Sequence, residues 1–193
     1  MIHLIYCDKK SIYIFDESKE ESELLRTLTG ANNTDDLTKL KFDYHFSMIA
    51  TGSNKGRVAV WDYELSQLLA FCVGHSYESE ITGIEFCAPY PIMITCATDG
   101  KICFWTVRPV PYQNSYICLA SFDNYTFNGE QEDLSAIKCI SVYKGEMTGI
   151  EKGFHLFHYQ LPASIYRDYI TSQVLALQED NIIKDKHGRY RGP

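Results

Sequence analysis

Residues Met48–Asp62 read MIATGSNKGRVAVWD. Two runs rich in apolar and β-forming residues flank the turn residues Asn54-Lys55-Gly56, and the second run closes on Trp61-Asp62. Such a pattern predicts a β-hairpin. Whether the hairpin stands alone depends on whether the pattern returns elsewhere in the chain, because a fixed period of self-similarity changes the reading of the whole fold.

It does return. LTKLKF (Leu37–Phe42), ITGIEF (Ile81–Phe86) and LSAIKC (Leu134–Cys139) align without gaps, and each is followed by a second matching segment: ATGSNKGRVAVWD from Ala50, TCATDGKICFWT from Thr95 and TGIEKGFHLFHY from Thr148. Ahead of all three, CDKKSIYIFD (Cys7–Asp16) repeats the end of the second segment. Leu37 to Ile81 spans 44 positions, as does Gly56 to Gly100; Ile81 to Leu134 spans 53, as does Gly100 to Gly153. The unit is therefore about 44 residues long, with nine extra residues before the last copy.

A period of this length, made of strand, turn and strand and ending in Trp-Asp, resembles the blade of a WD40 β-propeller. The resemblance covers residues 1–160. It implies an all-β fold, a partial WD40 propeller of about three to four blades, with MIATGS as a second strand, RVAVWD as a third and LLAFCVG (Leu68–Gly74) as an outer fourth. Residues 161–193 are expected to form a helical or irregular C-terminal extension. There Ile165, Tyr166, Tyr169, Ile170, Val174 and Leu177 fall at helical spacing, which predicts an amphipathic helix that covers an edge of the propeller or, as the alternative, docks a partner.

In that family, blades are locked by a hydrogen-bond chain of a His, a Ser/Thr, a turn Asp and the Trp. The resemblance places His75, Thr95, Asp99 and Trp105 in those four roles. The physical reason is that a buried indole N–H, hydroxyl and imidazole each need a partner, and each can satisfy the next. The preceding unit keeps only Thr51 and Trp61, with Lys55 at the Asp position. The first unit has Phe15 at the Trp position and Lys9 at the Asp position. The last matches at Thr148 and puts His158 or, with a one-residue gap, Phe157 where the Trp would stand.

The chain holds two complete units, the later part of one before them and a degenerate one after, whereas propellers close with typically four to eight blades. Met1 enters at the second strand of the first unit, so that blade should show an unpaired edge and an apolar face. A longer protein or another chain is expected to complete the ring.

Composition narrows the function classes. The seven cysteines are scattered, odd in number and without a CxxC pair, which points to free thiols in a reducing compartment. A formal charge of −7 argues against nucleic-acid binding; the acidic stretches DESKEESE (Asp16–Glu23) and GEQED (Gly129–Asp133) read as solvated loops, and the small basic cluster KDKHGRYR sits at the C-terminus. No apolar run approaches the roughly 18 residues of a membrane span, and the N-terminus lacks a secretory pattern. A soluble, cytoplasmic protein is expected, without membrane or nucleic-acid partners.

No catalytic or metal site emerges. His155 and His158 lie at an odd separation on an alternating strand, so they should point to opposite faces. Cys96 and Cys103 flank a turn on paired strands and could approach each other. TGSNKG (Thr51–Gly56) has glycines but neither the spacing nor the helix of a phosphate loop. The expectation is a non-enzymatic scaffold without cofactors, binding other proteins of a large assembly.

One further stretch, PYPIMITCATDGKICFWTVRP (Pro89–Pro109), is similar to a blade of large ciliary and flagellar WD-repeat proteins, some of which carry EF-hand segments. This resemblance implies an axonemal, doublet-microtubule-associated role with localisation in the cilium or flagellum; no EF-hand loop occurs here. The alternative is a soluble adaptor for regulation, substrate recognition or trafficking.

Overall fold

A computed structural model describes residues 2–29, 35–88, 92–106, 118–123, 125–128, 131–134, 136–143, 146–151 and 156–160. These residues are built of β-strands, all paired antiparallel. Strands β1 (His3–Cys7), β2 (Ile12–Asp16) and β3 (Glu23–Leu28) make the first sheet, and β4 (Leu37–Asp43), β5 (Met48–Ser53), β6 (Arg57–Asp62) and β7 (Gln67–Val73) the second. The third holds β8 (Ile81–Phe86), β9 (Ile92–Ala97), β10 (Lys101–Thr106) and β11 (Cys118–Asp123). A hairpin of β12 (Tyr125–Asn128) and β13 (Gln131–Leu134) precedes the fourth sheet, β14 (Ile137–Tyr143), β15 (Glu146–Glu151) and β16 (Leu156–Gln160). The four sheets are successive propeller blades, numbered here 1 to 4, and strand order in each follows chain order.

Blades stack face to face, which explains a departure from the usual in–out alternation of strands. β5 and β9 are buried at every position, because each lies mid-sheet between two neighbouring blades. Three apolar layers result. Ile12, Ile14, Leu28, Ile49 and Trp61 fill the space between blades 1 and 2; Ala50, Val60, Ile81, Ile84 and Trp105 that between blades 2 and 3; and Ile94, Ile102, Phe104, Ile137 and Ile140 that between blades 3 and 4.

The opening hairpin pairs Met48 with Asp62 through Gly52 with Val58. Its turn needs glycine twice over: Gly56 has φ of 73°, and an added Cβ would lie 2.3 Å from the Ser76 carbonyl oxygen.

Two irregularities recur in register. In the first pair of strands, the second residue is skipped: Thr38 between Leu37 and Lys39, Thr82 between Ile81 and Gly83, and Lys138 between Ile137 and Cys139. The skipped threonines bridge blades, since Thr38 Oγ1 donates to the Ile81 carbonyl at 2.8 Å and Thr82 Oγ1 to the Ile137 carbonyl at 2.6 Å. In the outer pair the bulge falls beside the Trp position and leaves out Leu25, Leu69 and Leu119 in turn.

These bulges correct the reading of the fourth unit. Its first strand is Ile137–Tyr143, not Leu134–Cys139: Ile137 holds the rung of Ile81, and Ile140 the rung of Ile84. Gly149, not Thr148, then stands at the rung of Thr95, and it pairs with Phe157. Tyr159 takes the Trp position, so neither His158 nor Phe157 does. The gapless alignment is overridden by burial. Ile137 and Ile140 are 0% and 8% exposed against blade 3, and a one-residue slip would reverse that face. The extra residues between units three and four include the β12–β13 hairpin.

Among the described residues no helix is long and apolar enough to cross a membrane. The helix expected after Pro162 lies outside the described residues, as does His155.

Candidate functional site

The most polar buried constellation sits where the β7–β8 connection meets the β9–β10 turn. His75 follows Gly74 in that connection, Thr95 and Trp105 lie on β9 and β10, and Asp99 is in the turn between them. Trp105 Nε1–H donates to Thr95 Oγ1 at 2.9 Å. Thr95 Oγ1 lies 2.8 Å from His75 Nε2, and His75 Nδ1 lies 3.3 Å from Asp99 Oδ1. One proton arrangement satisfies every group: indole to hydroxyl, hydroxyl to Nε2, and Nδ1–H to the carboxylate. The carboxylate also accepts from Ser76 N–H at 2.8 Å and Lys101 N–H at 3.0 Å.

Burial works to raise the Asp99 carboxyl, but the hydrogen bonds from His75, Ser76 N–H and Lys101 N–H outweigh it and hold the group down at about 2. Gly74 completes the joint by leaving room for the indole, for an added Cβ would lie 2.7 Å from Trp105 Cη2.

Hydroxyl, imidazole and carboxylate here stand in the order that serine hydrolases use. The environment makes them structural. Thr95 is 0% exposed and its oxygen already accepts the indole proton, so no substrate carbonyl can approach it.

Blades 2 and 1 carry other groups at the corresponding positions. In blade 2, Trp61 Nε1 reaches Thr51 Oγ1 at the longer distance of 3.4 Å. Ser53 Oγ accepts from Lys55 N–H and Arg57 N–H, each at 3.2 Å, and Arg57 stands where Lys101 stands in blade 3. Asn54 and Asp36 exchange two hydrogen bonds across the same end of the blade, at 3.0 and 2.9 Å. Blade 1 replaces the hydroxyl–indole pair with stacked rings: Tyr6 and Phe15 lie 5.7 Å apart, and Tyr6 and Tyr13 5.0 Å. Its turn aspartate is Asp8, which accepts from Lys10 N–H and Ser11 N–H at 2.7 Å each. Lys9 is not at that position, because this hairpin is one residue shorter than its counterparts.

Three contributors escaped the sequence reading. Ser53 sits one residue before the turn and offers a hydroxyl where the template has an aspartate, and Asp8 is displaced by the shortened hairpin. The bulge leucines leave a faint signal, the sequences LLR, LLA and CLA at Leu24–Arg26, Leu68–Ala70 and Cys118–Ala120.

The buried thiols of Cys72, Cys87, Cys96 and Cys103 serve packing. Cys96 faces blade 4 and Cys103 faces blade 2, so the two do not meet. Burial pushes the thiols of Cys72, Cys87 and Cys96 up to about 12, which keeps them neutral. Among the described residues no cluster of His, Cys, Asp or Glu could hold a metal ion.

Comparison with known proteins agrees with this architecture. The sequence profile of the family described as "WD domain, G-beta repeat" matches residues 22–62 and 66–106. Each match begins in the outer strand of one blade and ends at the third strand of the next, so each repeat unit straddles two blades. No curated protein matches the chain. Among solved structures, the computationally designed Ika4 protein is 20% identical with a TM-score of 0.59, covering 83% of this chain and 86% of its own. The computationally designed Ika8 protein is 21% identical with a TM-score of 0.58, covering 80% of this chain but 41% of its own, so the match spans less than half of that longer protein. At these identities the likeness concerns the fold alone. The two matched repeats and the blade sheets support a WD40-repeat β-propeller architecture, of which the described residues form successive blades.

Proposed function

We propose that this protein is a non-enzymatic assembly scaffold whose ring is completed by further blades packed on blade 1, and that it serves in the ciliary or flagellar axoneme. WD40 repeats support protein–protein interaction, as scaffold or adaptor. The observation that carries the finer reading is the outer face of blade 1. In blades 2 and 3 the face bearing Trp61 or Trp105 is buried by the preceding blade. The matching face of blade 1 bears Leu4, Tyr6, Tyr13 and Phe15, and leaves Leu4 49% and Tyr6 45% exposed. A contiguous aromatic and aliphatic sheet face of this kind marks an interaction surface.

The axonemal part rests on the resemblance of Pro89–Pro109 to ciliary WD-repeat proteins. An acidic chain gains little from bare electrostatic contact with an acidic filament, so attachment would use shape-matched contacts or intermediary proteins.

Two experiments test the reading. Leu4→Lys combined with Tyr6→Lys should remove the co-purifying blade partner while leaving the unfolding of blades 2 and 3 unchanged; an unchanged partner list would refute ring completion at this face. Salt-washed axonemes should retain the protein. Its release by moderate salt would favour a soluble adaptor.

A further inference from the structure

Between blades 1 and 2, at the end opposite His75, a cavity of about 370 Å³ opens among His3, Arg26, Phe42, Tyr44, Tyr63 and Glu64. That volume lies within the range of ligand sites. Tyr63 forms the floor. Its phenol contacts His3 Nδ1, its ring packs 5.0 Å from Phe42, and the Arg26 guanidinium lies 4.8 Å above it. Arg26 Nη1 donates to the carbonyls of Tyr63 at 2.8 Å and Glu64 at 3.0 Å, and to Ser66 Oγ at 3.3 Å. All three acceptors are neutral. Among the described ion pairs no carboxylate engages Arg26. Tyr44, 88% exposed, stands at the rim.

The repeat supplies an internal control. At the next junction, the rung of His3 is held by Met48 and that of Arg26 by Ala70. The blade architecture therefore demands neither the imidazole nor the guanidinium at these positions. Both are extra chemistry on a shared scaffold.

We infer that this cavity is a docking site for an acidic side chain of a partner protein, flanked by an aromatic or apolar residue. The guanidinium has planar donors beyond those spent on the carbonyls and carries a charge that its neutral partners do not cancel, which suits a carboxylate. Phe42, Tyr44 and Tyr63 offer ring faces to the residue beside it, in the Tyr- and Arg-rich combination found at interface anchors. Glu64 at the rim opposes the anion and tunes the affinity downward. The inference rests on the protein-interaction reading but not on ring completion, since blades 1 and 2 both belong to this chain.

The test uses the protein with whatever partner it retains, and a capped five-residue peptide holding one glutamate between two aromatic residues. The same peptide with glutamine in place of glutamate is the control. Side-chain NMR signals of His3 and of the Arg26 Nε–H should shift saturably, with the glutamate peptide binding roughly tenfold tighter than the glutamine one. Arg26→Gln should bring the two peptides level. Because Arg26 also holds the β6–β7 turn, Glu64→Gln is the second variant. It lies on the exposed rim, and it should strengthen binding of the glutamate peptide a few-fold. Equal binding of the two peptides, absence of shifts at His3 and Arg26, or indifference to both substitutions would overturn the inference. Those outcomes would leave ring completion untouched, because it is read from native mass.

Discussion

Blades 3 and 1 are built on one plan and sealed by opposite chemistry. Blade 3 ties its sheet to blade 2 through Trp105, Thr95, His75 and Asp99, a chain in which every buried donor and acceptor is used. Blade 1 has at the same rungs Phe15 and Tyr6, rings in stacking contact on a face left open. A polar chain suits a joint closed within one polypeptide, because its geometry is fixed as the chain folds. An aromatic face suits a joint closed by something added later, since ring contacts tolerate small displacements and shed water on docking.

The largest expected effect comes from removing the indole of blade 3. Trp105→Ala should destabilise the protein by about 3–5 kcal/mol in urea unfolding, because it opens a cavity in a closed layer and removes the indole donor to the Thr95 hydroxyl. Phe15→Ala, the same change on the open face, should cost clearly less in the isolated chain. Equal losses would erase the distinction between the two joints.

Next comes Gly74→Val, which drives a side chain into the Trp105 ring. About 1–3 kcal/mol should be lost, seen as a lower midpoint without a change in slope.

Thr95→Val then sharpens the comparison with blade 2. It removes the shared oxygen between indole and imidazole and should cost about 1–3 kcal/mol. Thr51→Val removes one long hydrogen bond and should cost less; the reverse order would mean that the His75 chain is not the stronger lock.

The smallest effect concerns acid. The Asp99 carboxyl titrates at about 2 in the folded protein and at about 3.9 when unfolded. The unfolded state therefore binds the proton first, so the stability from Asp99 is present above roughly pH 4 and is lost as pH falls toward 2. Asp99→Asn should reduce the slope of stability against pH in that window. Asp8, Asp16 and Asp36 are also held below the ordinary range by hydrogen bonds, so the slope should shrink and not vanish.

Blades 2 and 3 were legible in the sequence because their units repeat without a gap, so turn, Trp and strand spacing reinforce one another. The four residues of the blade 3 lock were named because the family resemblance supplies the roles, which map onto His75, Thr95, Asp99 and Trp105 in that unit. Where a hairpin loses a residue, the template misleads: Lys9 was matched to a role that Asp8 performs. In the last unit, a gapless alignment could not register the bulge at Lys138, which brings Ile137 and Ile140 to one buried face although they are three residues apart. Burial on one face is a stronger constraint on register than a gapless match, because a slip reverses every side chain. The cavity at His3 and Arg26 was invisible for a different reason. Its residues come from three strands and two turns and share no spacing; only the fold assembles them.

The most direct test of the central claim is the native mass and partner list of the protein gently purified from its source cells. The account predicts a species heavier than the 22.2 kDa of this chain, carrying further propeller blades crosslinked near Leu4 and Tyr6. A lone, compact particle of that mass, with those side chains open to solvent, would contradict it.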